Sequence, residues 1–334
     1  MSAVIAMTDG QQCAANLRQA GQDCLPLCLS SERVAELATR AAILEAAVSP
    51  KPGLVCIDGN GAHSDMDYPL FVRSARTLRP YFAEAHALGE ALLGDAPQRV
   101  FAHLRPLGIG AEQRMLRATG GVNTHKGLIF SMGLFCAAAG RLSGQTASAA
   151  ALRQEAASLA GGVAQDFAPL AALRESLRCG IADSLSPRDA RPELEARLGR
   201  RLSAGEVMFL LYGITGIRGE AERGFPHVGL ALRALEAHGA GHDLNTAMAH
   251  CLLELMQAMD DTNLLWRGGL QGLRHAAIAS RAALDEGGLR TEAGRAALRR
   301  MSADFARRGL SPGGCADILA VSVFVRLLRG HAMS

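Results

Sequence analysis

The chain is poor in several features that would each assign a function class. Its 334 residues carry a formal net charge of only +3, and no run of five or more like charges occurs in it. Nothing therefore resembles the basic stripe that duplex nucleic acid or an anionic membrane surface requires. The longest charge-free apolar stretch of interest, Gly127 to Gly140, is shorter than the roughly 20 residues needed to cross a bilayer and is broken by Ser131 and Gly133. It reads as a buried helix. The eight cysteines, at 13, 24, 28, 56, 136, 179, 251 and 315, include no Cys-x-x-Cys pair and no zinc-finger spacing, which excludes a disulfide framework and a structural zinc site. No basic leader precedes an apolar run at Met1 to Gly10, so a cytoplasmic protein is expected.

Also missing is sustained period-two alternation rich in β-branched or aromatic residues. What is present is helical. Val34, Leu37, Ala41, Leu44 and Val48 share one face and Pro50 ends the pattern, predicting a helix from about Glu32 to Ser49. A second helix is predicted to start near Asp67 with Pro69 in its first turn. Ser203 and Glu206 form a capping-box pair for a helix running to Tyr212. Asp243 caps a further helix with the stripe Met248, Leu252, Leu255 and Met259. At 49% hydrophobic and 20% charged, the chain has the composition of a globular protein with a sizeable core. The expected architecture is all-α: a single multi-helix globular domain over residues 31–330 with a central polar active-site cleft, preceded by a flexible extension over residues 1–30.

Four polar clusters interrupt the helices. In the first, two prolines bracket Lys51 and Gly53 follows; then come His63, Asp65 and Asp67. A lysine fixed this way suits a phosphate, while the carboxylates suit a divalent cation or a helix N-terminus. Glu45 lies at the edge of the preceding apolar stripe, where a carboxylate is either solvated or aimed at a site with a partner. The second cluster, Thr119-Gly120-Gly121-Val122-Asn123-Thr124-His125-Lys126-Gly127, precedes the apolar helix. Its glycines and Lys126 suit an anion at a helix N-terminus, and Asn123 suits either a ligand or a cap.

The third cluster, Tyr212 to Pro226, holds glycines at 213, 216 and 219 among Arg218, Glu220, Glu222 and Arg223, a pattern suited to close backbone approach to a charged ligand. In the fourth, Asp260 and Asp261 stand at a helix end beside Asn263 and the only tryptophan, Trp266. Adjacent carboxylates there oppose the helix dipole, so a cation such as Mg²⁺ is expected nearby. Ser311-Pro312-Gly313-Gly314-Cys315-Ala316-Asp317 opens another helix as a further anion seat.

Together these motifs resemble the triphosphoribosyl-dephospho-coenzyme A synthase family. The resemblance is carried in order by Pro50-Lys51-Pro52-Gly53-Leu54-Val55, Asn60-Gly61-Ala62-His63-x-Asp65-Met66-Asp67, Gly120 to Gly127, Gly216-Ile217-Arg218-Gly219-Glu220-Ala221, Asp261-Thr262-Asn263-Leu264-Leu265 and Ser311-Pro312-Gly313-Gly314. It spans about Glu32 to Leu328 and implies transfer of the 5-triphosphoribosyl group of ATP to the 2′-hydroxyl of 3′-dephospho-CoA, with release of adenine. The product would be the prosthetic-group precursor of citrate lyase or malonate decarboxylase, passed to a transferase acting on an acyl carrier protein. On that reading Lys51, Gly53, Asn123, Lys126, Arg218, Arg223, Asn263, Ser311 and Gly313 bind substrate, and Asp65, Asp67, Asp260 and Asp261 hold Mg²⁺. Glu220, Glu222, Glu45 and His125 are the candidates for proton transfer. The alternatives are a helical metal phosphohydrolase, using His242-Asp243 with His63 and Asp260, and a non-catalytic scaffold for an acyl carrier protein.

Overall fold

The computed structural model describes residues 24–177 and 186–330. Within them the chain forms fourteen α-helices: α1 (Ser31–Ala47), α2 (Tyr68–Ala91), α3 (Pro97–Ala118), α4 (Lys126–Arg141), α5 (Ala149–Leu159), α6 (Ala171–Leu177), α7 (Pro187–Leu198), α8 (Ala204–Tyr212), α9 (Gly216–Glu222), α10 (Pro226–Gly239), α11 (Leu244–Ala258), α12 (Thr262–Asp285), α13 (Glu292–Arg308) and α14 (Gly313–Gly330). The capping residues set most of these boundaries. Ser30, Asp67, Ser203 and Asp243 each accept a backbone N–H of the following first turn, and Ser203 completes its box with Glu206. Each such cap satisfies an otherwise orphaned donor.

Helices α4 and α14 are apolar nearly all round and form the middle of the molecule. Helices α1 and α2 cover one side of them, and α10 and α11 pack against α14 on another. The α2–α4 crossing is close because it lacks side chains: a Cβ on Gly89 would lie 2.1 Å from the Ala137 carbonyl oxygen, and one on Gly140 2.1 Å from that of His86. The Gly127 to Gly140 segment is thus a core helix, and no helix among the described residues is long and apolar enough to cross a membrane.

Two features were not legible beforehand. Residues Cys24–Pro26 (β1) pair antiparallel with Thr146–Ser148 (β2), Leu25 opposite Ala147, so the helical fold carries one minimal two-stranded ribbon. The segment from 24 to 30, placed with the extension by sequence reasoning, is anchored here: Leu25 is fully buried and Leu27 nearly so. The rest of that extension, residues 1–23, lies outside the described residues. A second, smaller apolar cluster joins Phe167, Leu194, Val207, Met208 and Leu265, so the described residues from α6 to α8 fold as a lobe seated against the start of α12.

Candidate active site

Five chain segments bring polar groups to one place: the C-terminus of α1, the turn after it, and the N-termini of α4, α12 and α14. At the first, the Lys51 ammonium donates to the Glu45 carboxylate at 2.6 Å and to the Glu45 carbonyl at 2.7 Å, with both residues over nine-tenths buried. The lysine that looked like a phosphate ligand instead neutralises a buried acid and caps the end of α1. Gly53 follows at φ +75°, where a Cβ would stand 2.3 Å from the Leu310 carbonyl oxygen. Its missing side chain lets this turn lie against the loop that opens α14.

Asp261 corrects the expectation drawn from Asp260-Asp261. Since α11 ends at Ala258, these acids begin the next helix, where a carboxylate is favourable. Asp261 accepts the backbone N–H groups of Asn263 and Leu264 at 2.8 and 3.1 Å, and its other oxygen accepts that of Cys315 at 2.7 Å. One buried carboxylate thereby closes the first turns of both α12 and α14, and the anion seat expected at Gly313-Gly314 is filled by the protein itself. Burial pushes its pKa up against those three hydrogen bonds.

Asp317, one turn into α14, completes the group. The residue as a whole is half-buried, and its carboxyl lies against α4 where Gly127 leaves room: a Cβ there would be 2.1 Å from Asp317 Oδ2. Burial first, and then the Glu45 and Asp261 carboxylates, hold its pKa well above the usual carboxylate range. His125, just before α4, is buried. Its Nδ1 lies 2.7 Å from Ser74 Oγ, itself 2.6 Å from Thr124 Oγ1. Burial and the Lys51 charge push the imidazole down to about 3, so it is neutral at physiological pH, and Nε2 has no hydrogen-bond partner among the described residues.

A second network binds the flanking loops. Arg267 donates to His63 Nδ1 at 3.3 Å and to the Gly309 carbonyl at 3.1 Å. A guanidinium can only donate, so Nδ1 accepts and Nε2–H donates to Ser311 Oγ at 2.9 Å. His63 is therefore the neutral tautomer, in keeping with a pKa lowered by burial and by Arg267.

The glycine-rich block forms α9, where Glu220 is buried. Its oxygens take the His227 backbone N–H at 2.8 Å and His227 Nδ1–H at 2.7 Å, and His227 Nε2–H reaches the Ala258 carbonyl at 3.2 Å. Both ring nitrogens face acceptors, so His227 is an imidazolium, its pKa raised chiefly by Glu220. Arg223 stands 3.8 Å from Glu220. Glu222 accepts the Ala164 N–H at 2.8 Å, whereas Arg218 pairs with Asp166 at 3.3 Å and lies over the Phe167 ring. Lys126 is exposed and pairs with Glu112 at 2.7 Å, and Asn123 Oδ1 accepts the Lys126 N–H at 3.1 Å as a cap.

The structure thus gathers Glu45, Lys51, His125 and Asp261, with Gly313 beside them, and sets Glu220 and Arg223 around His227. It does not gather the proposed metal ligands. Asp67 caps α2 through the Leu70 N–H at 2.8 Å, Asp261 has both oxygens committed to backbone N–H groups, and Asp65 and Asp260 are exposed. Among the described residues no three His, Cys, Asp or Glu side chains are grouped to hold a metal, so these acids do not fit a resident Mg²⁺. The phosphohydrolase set fails for the same reason, with Asp243 capping α11 through Thr246. The expected central polar cleft is not shown among the described residues. A surface hollow of about 690 Å³ runs along Tyr68, Val72, Arg73 and Arg76 on α2, and beside the polar centre Gly127, Gly313, Gly314 and Asp317 are half-buried and Asn263 is exposed. Sequence reasoning missed Asp317, His227, Ser74 and Arg267 as site residues. For Asp317 the signal was available, because it lies four residues after Gly313 and so on the same helix face.

A helical protein whose helix ends enclose two carboxyls, an ion pair and a neutral histidine has the make-up of an enzyme that moves protons on a bound substrate. The family model described as "CitG: ATP:dephospho-CoA triphosphoribosyl transferase" matches residues 31–334, and this chain belongs to that family. The 2-(5''-triphosphoribosyl)-3'-dephosphocoenzyme-A synthase of Klebsiella pneumoniae is 39% identical over 312 residues, covering 91% of this chain and 94% of the relative. The enzyme of the same name from Escherichia fergusonii is 36% identical over 300 residues, with 89% and 91% covered. A crystal structure from Archaeoglobus fulgidus, provisionally described as a triphosphoribosyl-dephospho-CoA synthase, aligns over 77% of this chain and 98% of its own at 18% identity and a TM-score of 0.45.

Proposed function

We propose that this protein transfers the 5-triphosphoribosyl group of ATP to the 2′-hydroxyl of 3′-dephospho-CoA and releases adenine. The observation that carries the reading is the family match across residues 31–334, and the buried centre supports it. Breaking an N-glycosidic bond passes through an oxocarbenium-like state, which is favoured by carboxylates near the anomeric carbon and by a group that moves a proton. Glu45, Asp261 and the acid between them supply that environment, and His125 offers a neutral imidazole edge.

The phosphates fall to the rim. Lys126, Arg218 and Arg223 are exposed or half-buried. Lys126 and Arg218 pair with surface carboxylates, pairings worth about 0–1 kcal/mol, and Arg223 stands 3.8 Å from Glu220, so all three are free to turn to a triphosphate with charge-assisted hydrogen bonds. Asn263 and Gly313 stand at the surface beside the polar centre, and Ser311 lies just behind them, buried against His63. Mg²⁺ accompanies the triphosphate on this reading, because the protein's own acids form no cage for it. Working in the cytoplasm, the enzyme would pass its product, the prosthetic-group precursor for citrate lyase or malonate decarboxylase, to a transferase acting on an acyl carrier protein.

Incubation of the purified protein with ATP, Mg²⁺ and 3′-dephospho-CoA, followed by chromatography, tests the reaction. Adenine equal to the coupled product, and absent when dephospho-CoA is left out, is the expected result. Release of ADP or phosphate without adenine would show a phosphohydrolase instead.

A further inference from the structure

We propose that Asp317 is the catalytic residue that gives a proton to the departing adenine and takes one back from the incoming 2′-hydroxyl. The proposal rests on the transfer reaction above and names the proton carrier within it. Three carboxyls face one another at the polar centre, and two have fixed partners: Glu45 holds Lys51, and Asp261 holds three backbone N–H groups. Only Asp317 is left without a hydrogen bond from the described residues, half-buried where the centre meets the surface.

An independent observation concerns the same end of α4. His125 is buried to within 3% of full enclosure, and its Nδ1 is turned to Ser74 on α2. The Lys51 charge acts on the ring, and Nε2 is a buried atom with no hydrogen-bond partner among the described residues. Such atoms are nearly always paired in folded proteins, so a polar group of the substrate completes it. Two residues further along, Gly127 lies against the Asp317 carboxyl, so His125 and Asp317 flank the same end of α4. The groups facing Asp317 are Glu45, itself paired with Lys51, Asp261 and Cys315. Burial and the two carboxylates keep the Asp317 proton in place until a base accepts it.

The step balances. As the C1′–N9 bond breaks, its electron pair goes to N9 and the Asp317 carboxylic acid protonates adenine at N7, so adenine leaves neutral. The 2′-hydroxyl oxygen of dephospho-CoA forms the new bond to C1′ and its proton passes to the Asp317 carboxylate, restoring the acid. No other reactant is consumed.

ATP methylated at N7 separates this role from a structural one, because its base is already cationic and departs without receiving a proton. Asp317→Asn should lower kcat with ATP by about a hundredfold or more, the scale of a general acid, with KM little changed. With N7-methyl-ATP the same variant should release methyladenine at nearly the wild-type rate. Gly127→Ala places a methyl where the carboxyl sits and should reproduce the selective defect, which keeps the test decisive should Asp317→Asn fail to fold. A full rate with ATP in Asp317→Asn, or an equal loss with both nucleotides in folded variants, overturns the proposal. Wild-type protein that releases no adenine would instead refute the transfer reaction itself.

Discussion

At the scale of single residues, similar side chains perform different work because burial differs. Lys51 and Lys126 both stand beside glycine-containing turns, yet the first is enclosed with Glu45 and the second is exposed with Glu112. Lys51→Met should therefore leave Glu45 buried and unpaired, costing about 3–5 kcal/mol in urea denaturation. Much of that loss should return in the double variant with Glu45→Leu. Lys126→Ala should change stability by less than about 1 kcal/mol and act mainly on KM for ATP. His227 provides a pH signature. Its folded pKa is raised, so the stability it adds is complete below the unfolded value near 6.5 and fades as pH rises through the raised one. The gap in unfolding free energy between wild type and His227→Gln should accordingly be widest in mild acid and close towards alkaline pH; a gap that widens with pH would refute the imidazolium assignment. Which lysine lay inside was not legible, since both sequences place a lysine in a polar turn and only long-range packing separates them.

At the scale of elements, caps and turns were legible because they are local. Ser203-x-x-Glu206 specifies its box within four residues, and Asp67 and Asp243 each cap as their positions implied. Asp261 was misread because the end of α11 and the start of α12 are only three residues apart, and the sign of the dipole acting on a carboxylate reverses between them. Ser203→Ala should cost about 1 kcal/mol and leave turnover intact, the lobe around α8 having its own apolar cluster. Gly53→Ala should do the opposite. With φ at +75° and the Leu310 carbonyl 2.3 Å from the new methyl, the loop bearing Ser311 must shift, so KM for ATP should rise alongside a stability loss of more than about 1 kcal/mol. Thermal melts and steady-state kinetics of the two variants make the comparison.

At the scale of the whole molecule, the core reaches further towards the N-terminus than the helical pattern does. Leu25 is fully enclosed through the β1–β2 pairing, so Leu25→Ala should cost about 2–5 kcal/mol by chemical denaturation, as for a core leucine. A change under 0.5 kcal/mol would mean that the ribbon is peripheral.

The helical class, the capping residues and the motifs of the family were determined by the sequence alone, because 3.6-residue periodicity, capping chemistry and short motifs act over a few neighbouring positions. Only the tertiary structure decided which charges are buried and which acids meet. Glu45, Asp261 and Asp317 come from three helices, and their roles as ion-pair partner, double helix cap and unpaired acid follow from the N–H groups and the ammonium that packing brings to each. Desolvation and Coulomb interactions depend on distance through space, and that is set by how α1, α4, α12 and α14 pack end to end rather than by separation along the chain.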